Sequence, residues 1–300
     1  DQVFKHPEWR PELRKCYDMY PNLKIVFTGS SVMRLKEENP ELNNIVKSYN
    51  LRGFSFREFL NLKTGNHFRP YTLDEILRNH ERIVKDILPK VSPLSFFQDY
   101  LHHGFYPFFQ EQRNYSENLL KTMNMVTEVD ILLIKQIELK YLTKIKKLFY
   151  LLALEGNKAP NVSWLAQEIE TSRATVMNYI KYLADARLTN MIYPKGCEFP
   201  KKPSKVMMHN TNLMYAIYPI AVKRQDVMET FFVNTMWKDH NVNQGAKDDF
   251  YWVDGSLKFK ICNAHDFEKK KFRQDTIYAR YNTEVGKDNL IPLWLLGFLY

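Results

Sequence analysis

The sequence predicts an α/β fold joined to a mainly helical part (α/β plus α), on three observations. The first is a short, apolar, β-branched run, Leu23-Lys24-Ile25-Val26-Phe27, that leads directly into Thr28-Gly29-Ser30-Ser31. A buried strand feeding a Gly-containing loop is the pattern of a parallel sheet, whose sites lie at the carboxyl ends of its strands. The second is a helix-turn-helix pattern followed by two strand-like runs between residues 141 and 209. The third is a closing stretch in which short strand-like runs follow a helix.

Four regions follow from these. From Asp1 to about Leu60, an amphipathic segment with Trp9, Leu13 and Tyr17 precedes the 23–27 run. From about Asn61 to Lys140 the pattern is helical, with Leu73, Ile76 and Leu77, then Ile83, Val84 and Leu88. A helix over Phe96–Leu101 ends at His103-Gly104 with Pro107 just beyond, the usual stop chemistry.

In residues 141–209, Leu148, Leu151 and Leu152 form one helix face, and Ser163 is expected to cap a short helix, Trp164–Ile169. Ser172 caps a third helix, where Val176, Ile180 and Leu183 recur at i, i+4 and i+7. Strands at Leu188–Tyr193 and Ser204–His209 follow, around a turn rich in Pro and Lys. Three helices and then a two-stranded hairpin describe a winged helix. Residues 210–300 read as a helix, Val227–Lys238, then strands near Phe250–Val253, Leu257–Ile261, Thr276–Ala279 and Leu290–Trp294. Asp254-Gly255 is a good hairpin turn.

Composition narrows the class. A chain of 300 residues with 45% hydrophobic and 26% charged residues is ordinary for folded protein of about two domains. No run approaches the roughly 18–20 apolar residues of a membrane span. Cys16, Cys197 and Cys262 lie far apart, which argues against a zinc ribbon or disulfide scaffold and fits a reducing, cytoplasmic setting. Lys and Arg number 43 against 34 Asp and Glu, and between Tyr141 and Val206 the count is eleven against five. That concentration suits an anionic partner such as DNA, or else a solvated basic face. Asp1 falls in what reads as mid-domain, so an upstream segment is expected to precede it.

Ordered motifs along nearly the whole chain resemble one family. Asp1-Gln2-Val3-Phe4-Lys5-His6-Pro7-Glu8-Trp9 is similar to a segment starting at a Walker B acidic pair, and Phe27-Thr28-Gly29-Ser30-Ser31 resembles a sensor-1 strand end. Leu51-Arg52-Gly53-Phe54-Ser55-Phe56-Arg57-Glu58-Phe59-Leu60 is the most distinctive match. Tyr100 to Pro107, His209 to Ala216 and Glu229 to Asn234 match further elements. Together they resemble the rear part of a prokaryotic AAA-type (P-loop) ATPase family with a winged helix and a restriction-endonuclease-like carboxyl-terminal domain. The resemblance implies the carboxyl-terminal part of an ATPase core with a partial P-loop sheet (1–60), a helical lid (61–140), a winged helix (141–209) and a small α/β endonuclease-like domain (210–300).

The chemistry that this family needs is only partly present. ATP hydrolysis requires GxxxxGK[ST], whose backbone N–H groups and Lys hold the phosphates. The sole Gly-Lys is Gly286-Lys287, with Tyr281 where the first Gly belongs and Asp288 after it. The family would place its loop upstream of Asp1, and a full-length member would use ATP and magnesium. No cofactor or metal is expected for these residues alone. Asp1 takes the metal-side Walker B position, but Gln2 stands where the resemblance implies Glu, and Gln cannot accept a proton from water. Thr28, Ser30 and Ser31 are sensor-1 candidates, or helix caps. Asn43 and Asn44 stand where the family usually carries Arg, and Arg52 and Arg57 read as structural ion-pairing residues.

In the endonuclease-like part the resemblance implies an Asp and then an acid-x-Lys. Asp248-Asp249 supplies the first, Asp249 being the better match, but Lys260 replaces the acid and Cys262 the Lys, which degrades a metal site. Glu229 reads as structural. On the third winged-helix helix, Arg173, Thr175, Asn178 and Lys181 lie off the apolar face, and Lys195, Lys201, Lys202 and Lys205 fall on the wing. These types suit phosphate and base-edge contacts, although such a module also serves packing alone. Adjacent His102 and His103 point about 100° apart on a helix and do not form a metal pair.

The expected function is therefore that of an ATPase-like protein, catalytically impaired in this chain, that acts by binding. DNA is the first expected partner, and a protein partner or a second copy the alternative. Two other outcomes stand beside it: an active ATPase of which this is a piece, and an interaction module with no nucleic-acid role.

Overall fold

The computed structural model describes the chain apart from residues 34–41, 43, 112–113, 246–249 and 264–272 and the side chain of Ala221. The helices, in order, are α1 (Trp9–Met19), α2 (Phe56–Thr64), α3 (Leu73–Ile87), α4 (Pro93–His103), α5 (Tyr115–Met125), α6 (Leu132–Ile134), α7 (Leu142–Glu155), α8 (Val162–Glu168), α9 (Arg173–Asp185), α10 (Thr211–Ile217) and α11 (Arg224–Met236). The strands are β1 (Thr189–Ile192), β2 (Lys205–Met208), β3 (Val242–Gln244), β4 (Tyr251–Val253), β5 (Leu257–Cys262), β6 (Ile277–Arg280) and β7 (Leu290–Pro292). The described chain is thus mixed α and β with two small sheets, and none of its helices is long and apolar enough to cross a membrane.

Capping chemistry sets many of the helix starts. Ser55 and Glu58 form a reciprocal capping box on α2, and Thr72 and Glu75 form another on α3. Ser172 accepts from the Thr175 amide to start α9, as the sequence indicates. Ser163 does not cap α8, because that helix starts one residue earlier, at Val162, and takes Ser163 into its first turn.

The chain divides into two compact units. The first comprises Asp1–Arg52, Lys121–Phe149 and Val162–Thr189, and the second Gly53–Leu120, Tyr150–Asn161 and Asn190–Tyr300. In the first, Trp9, Met33 and Leu42 are buried, with Phe4, Leu13 and Phe27 packed on them. The stripe Val176, Ile180 and Leu183 is the buried face of α9, as its spacing requires.

The run from Leu23 to Phe27 is not a buried strand. Among the described residues of 1–60 there is no strand at all, so the expected partial P-loop sheet is absent there. A strand exists through its ladder, and no described segment lies alongside this one. Val26 is consequently 94% exposed, with Leu23 and Ile25 also exposed, and Phe27 alone of the run's apolar side chains packs inward, on Trp9.

In the second unit β3-β4-β5-β6-β7 form one sheet in that order. The first two pairings are antiparallel and the last two parallel. The turn after β4 has positive φ at both Asp254 (50°) and Gly255 (71°), which the Asp-Gly pair tolerates. β7 stops at Pro292, and Leu293–Phe298 form a buried 3-10 helix in place of the end of the expected strand. α11 packs against β5, with Phe232 and Phe259 ring centroids 5.3 Å apart. A second aromatic cluster centres on Phe56, within 5.0 Å of Phe97 and 5.4 Å of Tyr100, and Phe97 in turn meets Phe231 at 4.9 Å.

Candidate functional site

The Walker B-position residues and one sensor-1 candidate come together in the first unit. The Thr28 hydroxyl donates to the Asp1 carboxylate, and the Gln2 backbone N–H donates to the Thr28 hydroxyl at 3.0 Å. Val3 N–H adds a bond to the Thr28 carbonyl, also at 3.0 Å. Ser30 takes a different partner: its hydroxyl donates to Asp130 at 2.6 Å. Asp130 lies in a π-helical turn, Val126–Ile131, that sequence periodicity does not distinguish. Burial raises its pKa, against the opposing effects of the Ser30 hydrogen bond and the Lys5 charge. Asn44 is exposed and has no place in this cluster; Asn43 lies outside the described residues.

An ATP–magnesium group would need a backbone cradle, a phosphate-binding Lys, and an acid able to take a proton from water. The cluster offers the Asp1 carboxylate, already accepting from Thr28, and the neutral Gln2. These two residues by themselves supply a carboxylate but no group beside it that accepts a proton.

The candidate nucleic-acid residues divide by what holds them. Arg173 is exposed as the first residue of α9, and Asn178 is exposed on the side opposite its buried stripe. Thr175 is engaged at the helix start, its hydroxyl 2.8 Å from that of Ser172. Lys181 is bound at 2.6 Å to Asp185, whose side chain is nearly buried and also meets Lys135 at 3.6 Å. The basic face of α7 is likewise engaged: Lys144 on the Glu170 carbonyl, Lys146 on Glu128, and Lys147 on Glu168. In the second unit Lys201 and Lys202 are exposed, whereas Lys205 is drawn inward onto Glu229 at 2.8 Å.

Glu229 is fully engaged. Tyr251 donates to it at 2.7 Å and Gln225 at 3.1 Å. Lys260 alternates along β5 with buried Phe259 and Ile261, so it projects from the other face of the sheet. Cys262 is buried, and Asp249 lies outside the described residues, as does Asp248. Among the described residues no group of three or more His, Cys, Asp or Glu is placed to hold a metal ion. His102 instead stacks on Tyr215, with centroids 3.5 Å apart.

The distinctive motifs prove to be mutually supporting framework. Arg57 donates to the Tyr300 carbonyl at 2.8 Å and to the Phe68 carbonyl at 3.0 Å, and Ser55 also donates to Tyr300. Phe54 N–H bonds the Phe105 carbonyl at 2.8 Å. A Cβ at Gly53 would lie 2.4 Å from that same oxygen, so only Gly fits. Buried Asn212 accepts from Phe105 N–H at 2.8 Å and donates to the Leu101 carbonyl at 2.8 Å, tying residues 100–107 to 209–216. The motifs are visible in the sequence, but Asn212 as the link between them is not.

Comparison with known proteins gives two family matches. Residues 1–60 match a family described as an AAA domain, and residues 95–226 match a domain of unknown function, DUF8612. Over 202 residues the chain is 27% identical to the uncharacterised protein MJ1637 of Methanocaldococcus jannaschii, covering 65% of this chain and 42% of that protein. The chain therefore spans less than half the length of that relative. No solved structure matches it. These matches support an AAA-like family.

Proposed function

We propose that this chain is an AAA-type ATPase relative that acts by binding nucleic acid, with its nucleotide-processing residues degraded. The observation that carries the reading is the α8–α9 pair, in which a capped α9 buries Val176, Ile180 and Leu183 and leaves Arg173 and Asn178 exposed. The two-stranded sheet β1–β2 follows directly, with exposed Lys201 and Lys202 between its strands. This order is that of a winged helix, in which the last helix reads a groove and the wing meets the backbone. On α9, Arg173 and Asn178 carry the binding rather than Lys181, because Asp185 holds that ammonium. The endonuclease-like reading of the carboxyl-terminal sheet agrees with its mixed topology, with Lys260 in place of an acid as a mark of lost nuclease chemistry.

Retention of a labelled duplex at low salt, declining steeply as salt rises, supports this function. Absence of retention at low salt overturns it and favours a protein-interaction module.

A second reading, an ATP-hydrolysing protein of which these residues are a piece, is favoured by the meeting of Asp1 with Thr28. ATP turnover by a longer protein carrying native Gln2, at a rate unchanged by Gln2→Glu, supports that reading. Turnover that appears only with Glu supports the degraded site.

A further inference from the structure

The second unit contains a cavity of about 530 Å³ that the proposed function does not use. It is lined by Tyr193, Lys195 and Cys197 after β1, by Trp237 beyond α11, and by Asn241 and Asn243 at the edge strand β3. The backbone around it is tied together: Gln244 N–H donates to the Tyr193 carbonyl at 2.9 Å, and the Asn243 amide donates to the same oxygen at 3.3 Å. Its size falls within the roughly 300–1,000 Å³ of small-molecule sites.

The chemistry of the walls is selective. Tyr193 and Trp237 supply aromatic surface, and Asn241 and Asn243 supply amides. Lys195 supplies an ammonium whose polar neighbour is the Gly255 carbonyl at 3.5 Å. Asp254 also lines the cavity, and its two oxygens are engaged by His240 Nδ1 at 2.7 Å and by the Asn241 N–H at 2.9 Å rather than by Lys195. Burial pushes the Tyr193 hydroxyl up to about 12, so it stays a neutral donor. A purely apolar ligand would leave the amides and the ammonium idle, and a small acid would not use the aromatic surface.

Aromatic stacking, amides for a base edge and one cation for phosphate are the three contacts that single-stranded nucleotides use. We propose that this cavity takes one unpaired nucleotide, with its base on the Tyr193 and Trp237 side and its phosphate on Lys195. Its source is either a free 5′-mononucleotide or an unpaired residue of a nucleic-acid strand. The inference rests on the proposed nucleic-acid role only for the strand source.

Cys197 provides an internal probe, with Cys16 of the first unit as the control. Alkylation of each thiol is followed by peptide mass in the presence of a 5′-mononucleotide, a single-stranded oligonucleotide, or inorganic phosphate. The expected result, at a ligand concentration about ten times its Kd, is slower alkylation of Cys197 by about tenfold through occupancy, with Cys16 unaffected and phosphate ineffective. Lys195→Glu should abolish the protection at an unchanged thermal midpoint. Protection by the mononucleotide assigns a free ligand, and protection by the oligonucleotide alone assigns a strand. Unprotected Cys197, or equal protection by phosphate, overturns the proposal. If Cys197 stays unprotected while duplex retention persists, this inference fails and the nucleic-acid reading stands.

Discussion

Lys205 Nζ lies 2.8 Å from Glu229 Oε2, and the two side chains are only 12% and 6% exposed. The pair joins β2 to α11 within the second unit, and Tyr251 and Gln225 complete the hydrogen bonding of the carboxylate. Breaking such a pair leaves a buried, uncompensated charge, which costs about 3–5 kcal/mol. Lys205→Met should therefore lower stability by that amount in urea denaturation. Lys205→Met with Glu229→Leu should recover much of the loss, and equal losses in single and double variants would contradict the assignment.

Asn212 accepts from Phe105 N–H and donates to the Leu101 and Tyr100 carbonyls while buried. Asn212→Leu keeps the volume and strands these groups, at about 1–3 kcal/mol for each one left unsatisfied. The thermal midpoint should fall accordingly, and amide exchange at Phe105 should accelerate. Unchanged protection at Phe105 would show that the bond is not structural.

Burial raises the pKa of Asp130, so folding takes up a proton between its unfolded and folded values. The stability it contributes is present at low pH and lost as pH rises through the folded value, above the ordinary aspartate range. Asp130→Asn removes that loss. The variant should gain stability relative to the parent as pH rises from acid to neutral. A pH-independent difference in midpoint would refute this.

Helix positions were legible because their signals are local. Ser172 and the 176/180/183 stripe each act within a few residues, and each appears where the sequence places it. Leu23–Phe27 misled because an apolar β-branched run describes what a strand would bury, and a ladder depends on a partner elsewhere. Asp130, Asn212 and the Lys205–Glu229 pair escaped for the same reason, since their partners lie 100, 107 and 24 residues away. One signal was available: Asp130 directly precedes the apolar run Ile131-Leu132-Leu133-Ile134, where an acid needs an ion or a hydroxyl partner. Charge counting also overstated the uncompensated basic charge, because Lys144, Lys146, Lys147 and Lys181 are held by partners within the first unit.

Whether α9 meets a nucleic-acid backbone through Arg173 decides the proposed function. The deciding measurement titrates a labelled duplex with the parent protein and with Arg173→Glu across a series of salt concentrations, followed by fluorescence anisotropy. The variant should bind more weakly, and its slope of log K against log salt should be shallower by about 0.9 for each phosphate it no longer neutralises. Lys181→Ala, which removes an ammonium already bound to Asp185, should leave that slope unchanged. Identical affinity and slope for the parent and Arg173→Glu would contradict a nucleic-acid role for α9.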